Sequence, residues 1–161
     1  MDDHEQFLNE RSERIAGYQT EKEFKNSANQ FLEQTLEHQY SYNFEWMGLP
    51  IIQYPQDLVA LQEIIWRTQP DLIIETGIAR GGSLVFYASM LAQLGGDRKV
   101  VGIDVDLRVH NKERLLNHTM FPWIQLIEGS SIAIETVERV QEIAKQFKNI
   151  MVCLDSNHTC E

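Results

Sequence analysis

From Asp57 onward the chain alternates short β-branched runs with segments of helical spacing, and few architectures accommodate that alternation. The runs are DLIIE (71–75), KVVGID (99–104), WIQLIE (123–128) and IMVCLD (150–155). Between them, 82–94, about 108–118 and 131–147 carry the helical period. Strands separated by helices pair in parallel through right-handed crossovers. The expected fold class is therefore α/β, with an open parallel sheet. A further helix, DLVALQEIIWRTQ, precedes the first run: Asp57 is its expected N-cap, Leu58, Leu61, Ile64 and Ile65 form its stripe, and Pro70 follows its end.

Each run closes on an acid: Glu75, Asp104, Glu128 and Asp155. Ligands of open α/β sheets sit outside the carboxyl ends of the strands, so these acids fall where a site belongs. Only about four strands are written before Glu161, whereas doubly wound sheets usually carry more. The expectation is the N-terminal part of a larger fold, truncated after about four strands.

The remainder of the 161 residues divides simply. Residues 1–40 lack strand alternation and carry helix formers, with Phe24, Phe31 and Leu32 on one potential face, which predicts an N-terminal helical extension. Residues 41–161 hold the sheet domain, entered through the aromatic connector YSYNFEWMGLPIIQYPQ, whose Pro50 and Pro55 disfavour helix around them. A hydrophobic content of 43% suits a soluble domain, and no apolar stretch reaches the roughly 20 residues of a membrane helix. The N-terminal MDDHEQFLNERSER has neither the basic nor the apolar region of a secretory signal, so a cytoplasmic location is expected. Cys153 and Cys160 lack the spacing of a disulfide framework or a zinc site and read as free thiols. A net charge of -10 argues against nucleic acid as a partner.

The most informative local stretch is ETGIARGGS, residues 75–83. Gly77, Ala79 and Gly82 fit the dinucleotide spacing loosely, and that spacing alone leaves a nicotinamide cofactor open. Glu75 separates the readings, because a carboxylate there opposes a pyrophosphate and suits a cationic amino-acid group. S-adenosylmethionine (SAM) has such a group and no phosphate. Asp104 is then placed to grip both ribose hydroxyls, and EGSS, 128–131, to edge an adenine.

Four motifs in order, QYPQDLVALQEIIWRTQPDLIIETGIARGGSLVFYASML, VVGIDVDLR, IQLIEGSS and LDSNHT, resemble the cephalosporin hydroxylase family, which includes rhamnosyl O-methyltransferases. The resemblance spans roughly residues 40–161. It implies a Rossmann-like sheet of the class I methyltransferase type, with donor binding at Glu75, Gly77, Gly81, Ser83, Asp104, Ser130 and Ser131. It also implies a magnesium site whose first ligand is Asp155, although the further acidic ligands of the family come from a later strand that this sequence does not contain.

The reading that follows is a SAM-dependent O-methyltransferase acting on a hydroxyl of a sugar or small molecule, and metal-assisted when full length. Asp155 and His158 are the candidate catalytic groups, His158 as a general base toward the acceptor hydroxyl. Asp155 also suits a turn aspartate, and His158 a solvent-facing loop residue. Arg80 either steers an anionic substrate or is simply solvated. Tyr40, Tyr42, Phe44 and Trp46 fit a core or a subunit interface better than an acceptor pocket, and with the unfinished sheet edge they favour a homo-oligomer. His38, His110 and His118 share no ligand spacing. The competing functions are a hydroxylase, for which no His/His/carboxylate triad is visible, a nicotinamide oxidoreductase, and a donor-binding module without catalysis.

Overall fold

The computed structural model describes residues 2–156. His158 and Cys160 lie outside the described residues. The chain falls into two compact units, Met1–Tyr40 and Ser41–Glu161.

The first unit holds two helices, α1 (Asp3–Tyr18) and α2 (Lys22–Glu37). A capping box starts α1: the Asp2 carboxylate accepts from Glu5 N at 2.8 Å, and Glu5 accepts from Asp2 N at 3.3 Å. Tyr18 stacks on Phe24 with ring centroids 5.0 Å apart. Phe24, Phe31 and Leu32 are exposed.

The second unit opens with an antiparallel hairpin, β1 (Phe44–Trp46) and β2 (Leu49–Ile51), in which Phe44 pairs with Ile51 and Trp46 with Leu49. Its two-residue turn, Met47–Gly48, has φ of 48° and 84°, the left-handed geometry that matches strand twist. The aromatic connector is thus partly sheet, and Pro50 is tolerated because the hairpin has only two strands and its outer edge needs no donor. Helix α3 (Pro55–Thr68) differs from expectation at its start. Its N-cap is Tyr54 and Pro55 fills the first helical position, where the missing N–H costs nothing; Asp57 instead sits in the first turn, favourably placed toward the helix dipole. Gln69 closes the helix in the left-handed region at φ 51°.

Four strands follow: β3 (Leu72–Thr76), β4 (Lys99–Asp104), β5 (Ile124–Glu128) and β6 (Ile150–Leu154). All pairings are parallel and the order is β5-β4-β3-β6. The chain steps outward from β3 to β5, then returns to the opposite side of β3 to place β6, so strand order reverses beside β3. Helices α4 (Gly82–Leu94), α5 (Val109–Leu116) and α6 (Ile134–Ala144) make the connections.

Alternate residues of the central strands serve two cores. Ile73 and Val100 join Leu84, Val85, Phe86 and Leu91 of α4 on one face. Leu72, Ile74, Val101, Ile103 and Ile127 pack against Val140, Ile143 and Ala144 of α6 and against Phe147 on the other. Burial on both faces is why these strands read as unbroken apolar runs. The edge strand β6 alternates instead: Met151 and Cys153 join the α4 side, whereas Ile150, Val152 and Leu154 are exposed. Among the described residues no helix is long and apolar enough to cross a membrane.

Candidate functional site

The carboxyl ends of β3, β4, β5 and β6 open onto two adjoining cavities of about 400 Å³ and 350 Å³. Gly77, Asp104, Val105 and Ser156 belong to both walls. This is the crevice where strand order reverses, the usual ligand position in such sheets.

The turn from β3 into α4 shapes the first cavity. Gly77 has φ 83°, and a Cβ there would lie 2.1 Å from the Asp155 carbonyl oxygen, so a side chain is excluded by both conformation and contact. Gly77 N donates to Ile103 O at 2.8 Å, and Asp155 N to Thr76 O at 2.9 Å, which ties the turn to β4 and β6. Gly81 caps α4 at φ 85°; a Cβ there would strike the Leu115 side chain at 2.6 Å, so this glycine lets α4 start close against α5 and does not itself line the cavity. Ala79 also has positive φ, at 45°. Its carbonyl accepts from Asn111 Nδ2 at 3.0 Å, and Asn111 is buried.

Asp104 stands where the two cavities meet. One carboxylate oxygen accepts from Ile78 N at 3.0 Å and the other from Asp106 N at 3.2 Å. Each oxygen keeps lone-pair capacity for a further donor, so the group is oriented by backbone and still able to bind a diol. Ser130 and Ser131 line the second cavity beside Gly129, whose N–H donates to Asp104 O at 2.8 Å. Ser83 and Gly82 line the first cavity, as do Gln53 and Asp155. Arg80 lies on the first cavity and on a neighbouring one of about 490 Å³ that also touches Tyr42 and Arg108. Trp46, by contrast, joins the core: it meets Phe86 edge-on at 4.9 Å and donates to Ser89 Oγ at 3.0 Å.

Glu75 differs from its expected position. It was placed by sequence to face a cationic ligand, but its side chain is 1% exposed and absent from the cavity walls. Strand alternation turns it, like Ile73, toward α4, where Ser83 and Tyr87 lie one helical turn apart. Ser83 Oγ donates to Glu75 Oε2 at 2.6 Å. The Tyr87 hydroxyl bonds to both Glu75 and Cys153, which is opposite Glu75 in the β3–β6 register. Burial raises the Glu75 pKa to about 8; its bonds to Ser83 and Tyr87 oppose that rise, and the Asp155 charge adds to it. Burial likewise raises the Cys153 thiol and holds the Tyr87 phenol far above its ordinary range.

Residues 38–161 match the family described as Rhamnosyl O-methyltransferase/CmcI. The chain belongs to this family. Rhamnosyl O-methyltransferase of Mycobacterium leprae is 30% identical over 115 residues, covering 71% of this chain and 48% of that protein. The enzymes of the same description from Mycobacterium bovis and Mycobacterium tuberculosis are 30% identical over 131 residues, covering 76% and 51%. The chain thus spans about half the length of the curated relatives it matches. Among solved structures, apo CmcI aligns with a TM-score of 0.56 at 24% identity, over 73% of this chain and 47% of that one. CmcI with magnesium and SAM aligns with a TM-score of 0.56 at 23% identity, over 73% and 48%. The Rossmann-like fold of this CmcI-family chain is that of these neighbours.

Two members of the site were not foreseen. Gln53, beyond β2, donates to Asp155 Oδ2 at 3.3 Å, a contact across 102 positions. Asn111 holds the glycine turn from α5. Neither carries a local sequence signal, since a polar residue in a loop or on a helix is unremarkable until its distant partner is known. For magnesium the fit is poor: among the described residues no group of three or more His, Cys, Asp or Glu side chains could hold a metal ion. Asp155 with Gln53 falls short of an octahedral oxygen set.

Proposed function

We propose that this chain forms the donor-binding part of a SAM-dependent O-methyltransferase whose acceptor is a hydroxyl of a sugar or another small molecule. The observation that carries the proposal is Asp104: a backbone-oriented carboxylate at the junction of two cavities, beside a left-handed glycine turn. Such a group accepts from two vicinal ribose hydroxyls, and Asp155 on the first cavity opposes the pyrophosphate of a nicotinamide dinucleotide beside the glycine turn. Adenine then belongs in the second cavity against Ser130 and Ser131. The amino-acid end of the donor belongs in the first, between Gly77 and Ser83. The names of the mycobacterial relatives support a sugar hydroxyl as acceptor, and the presence of SAM in a CmcI structure supports the donor.

Methyl transfer needs the acceptor oxygen in line with the sulfonium–methyl bond; the C–O bond forms as the C–S bond breaks, and the hydroxyl proton passes to a base. Asp155, exposed on the first cavity and braced by Gln53, is positioned to accept a hydrogen bond from that hydroxyl and orient it. His158 remains the candidate base. A homo-oligomer is supported by the exposed apolar side chains of β6, and the absence of nucleic acid among the partners by the net charge of -10.

The test is equilibrium binding of S-adenosylhomocysteine (SAH) to the wild type and to Asp104→Asn, which keeps one oxygen for Ile78 N but loses the charge. Loss of a charge-assisted pair predicts at least about tenfold weaker binding. Equal affinity in the two proteins would place the ribose elsewhere.

A further inference from the structure

Glu75 presents a puzzle that the donor-binding reading leaves open. It ends the turn motif, yet it is 1% exposed and walls neither cavity, whereas Ser83 does line the first. The Ser83 hydroxyl spends its one proton on Glu75 Oε2, at 2.6 Å. A hydroxyl has one proton and two lone pairs, so with the proton directed inward the oxygen can only accept from whatever enters the cavity. On the far side, Tyr87 from the same helix and Cys153 from the neighbouring strand close the polar cluster around the carboxyl. No fully buried side-chain polar atom among the described residues lacks a partner.

We propose that Glu75 is a positioning residue rather than a direct ligand: it fixes the Ser83 hydroxyl so that the Ser83 oxygen offers its lone pairs to the ammonium group of the donor's amino-acid end. This rests on the donor-binding reading above. It also explains how a cation is received at a buried acid without stranding an unpaired charge. The ammonium meets an oriented neutral oxygen, and the carboxyl stays in its network.

The experiment compares two ligands that share the adenosine half, SAH and 5′-methylthioadenosine, which lacks the amino-acid end. Ser83→Ala is expected to weaken SAH about tenfold, as for a hydrogen bond to a charged group, and to leave methylthioadenosine within about twofold. Glu75→Ala, which removes the acceptor that orients Ser83, is expected to show the same selective loss. Glu75→Gln, whose amide oxygen still accepts from Ser83, is expected to restore SAH binding to within about threefold of wild type. A Glu75→Gln protein that loses SAH as severely as Ser83→Ala would show the carboxylate itself meeting the ammonium, and would overturn the proposal. Unchanged SAH binding in Ser83→Ala, a near-isosteric change with little risk to folding, would overturn it too. If the wild type binds neither ligand, the donor-binding reading fails first and takes this proposal with it, whereas methylthioadenosine binding that survives alongside unaltered SAH affinity in Ser83→Ala defeats the positioning role alone.

Discussion

At the scale of single residues, two glycines with nearly the same positive φ separate conformational cost from contact. Gly48 and Gly77 have φ of 84° and 83°, but a Cβ at Gly48 meets nothing within 4 Å, while one at Gly77 would lie 2.1 Å from the Asp155 carbonyl oxygen. Gly48→Ala is expected to cost about 1 kcal/mol, the left-handed penalty alone. Gly77→Ala should cost at least about 3 kcal/mol more, because the backbone at Asp155 and Ser156, just past β6, must move away from the turn. Denaturant midpoints of the two variants check this, and equal midpoints would mean that the turn and that backbone are not in contact. Glu75 gives a pH-dependent counterpart. Its pKa is about 8 in the fold against an ordinary value of 4.5, so the folded state holds a proton that the unfolded chain has released between those limits. Stability from this residue is therefore complete below about pH 4.5 and declines as pH rises toward 8. Glu75→Gln, which cannot titrate, should flatten the melting temperature across that window; an unchanged slope would assign it to other groups.

At the scale of elements, the hairpin β1–β2 is held to α4 by Trp46, through its edge contact with Phe86 and its hydrogen bond to Ser89. Trp46→Ala should destabilise the second unit by about 2–4 kcal/mol, read from chemical denaturation, and a loss under about 1 kcal/mol would show that the hairpin is a passive appendage. The same element marks what was legible beforehand. The four parallel strands were readable to within a residue or two, because double-sided burial leaves continuous β-branched runs such as LIIE and VVGI. The hairpin was not, since strands of three residues are too short to show alternation and Pro50 argued against one of them. The N-cap of α3 lies three residues before the expected one, at Tyr54, as Asp57 is a good cap by type while proline fits the first helical position by geometry. Of the expected site residues, Asp104 and Asp155 at strand ends, Ser130 and Ser131 just past one and Ser83 in the first turn of α4 do line the two cavities. Gln53 and Asn111 were not legible, because each acts on a distant turn. The inward direction of Glu75 depends on which core its strand position feeds, and that is settled only when α4 packs.

At the scale of the whole molecule, the sheet of the second unit has one crevice at its carboxyl edge and an edge strand with apolar residues in solvent. The described residues offer too few oxygen ligands for magnesium, so millimolar magnesium should move the melting temperature of this 161-residue chain by less than about 1 °C. A larger rise would reveal a complete metal site. The ligand proposed for the crevice is an adenosine carrying an amino acid, and not a dinucleotide. Titration calorimetry of this chain with SAH and with NAD, in the same buffer, tests this most directly. Saturable heat with SAH at one site per chain and none with NAD at the same concentrations is the predicted result; NAD binding as tight as SAH, or no saturable heat with SAH, would contradict it.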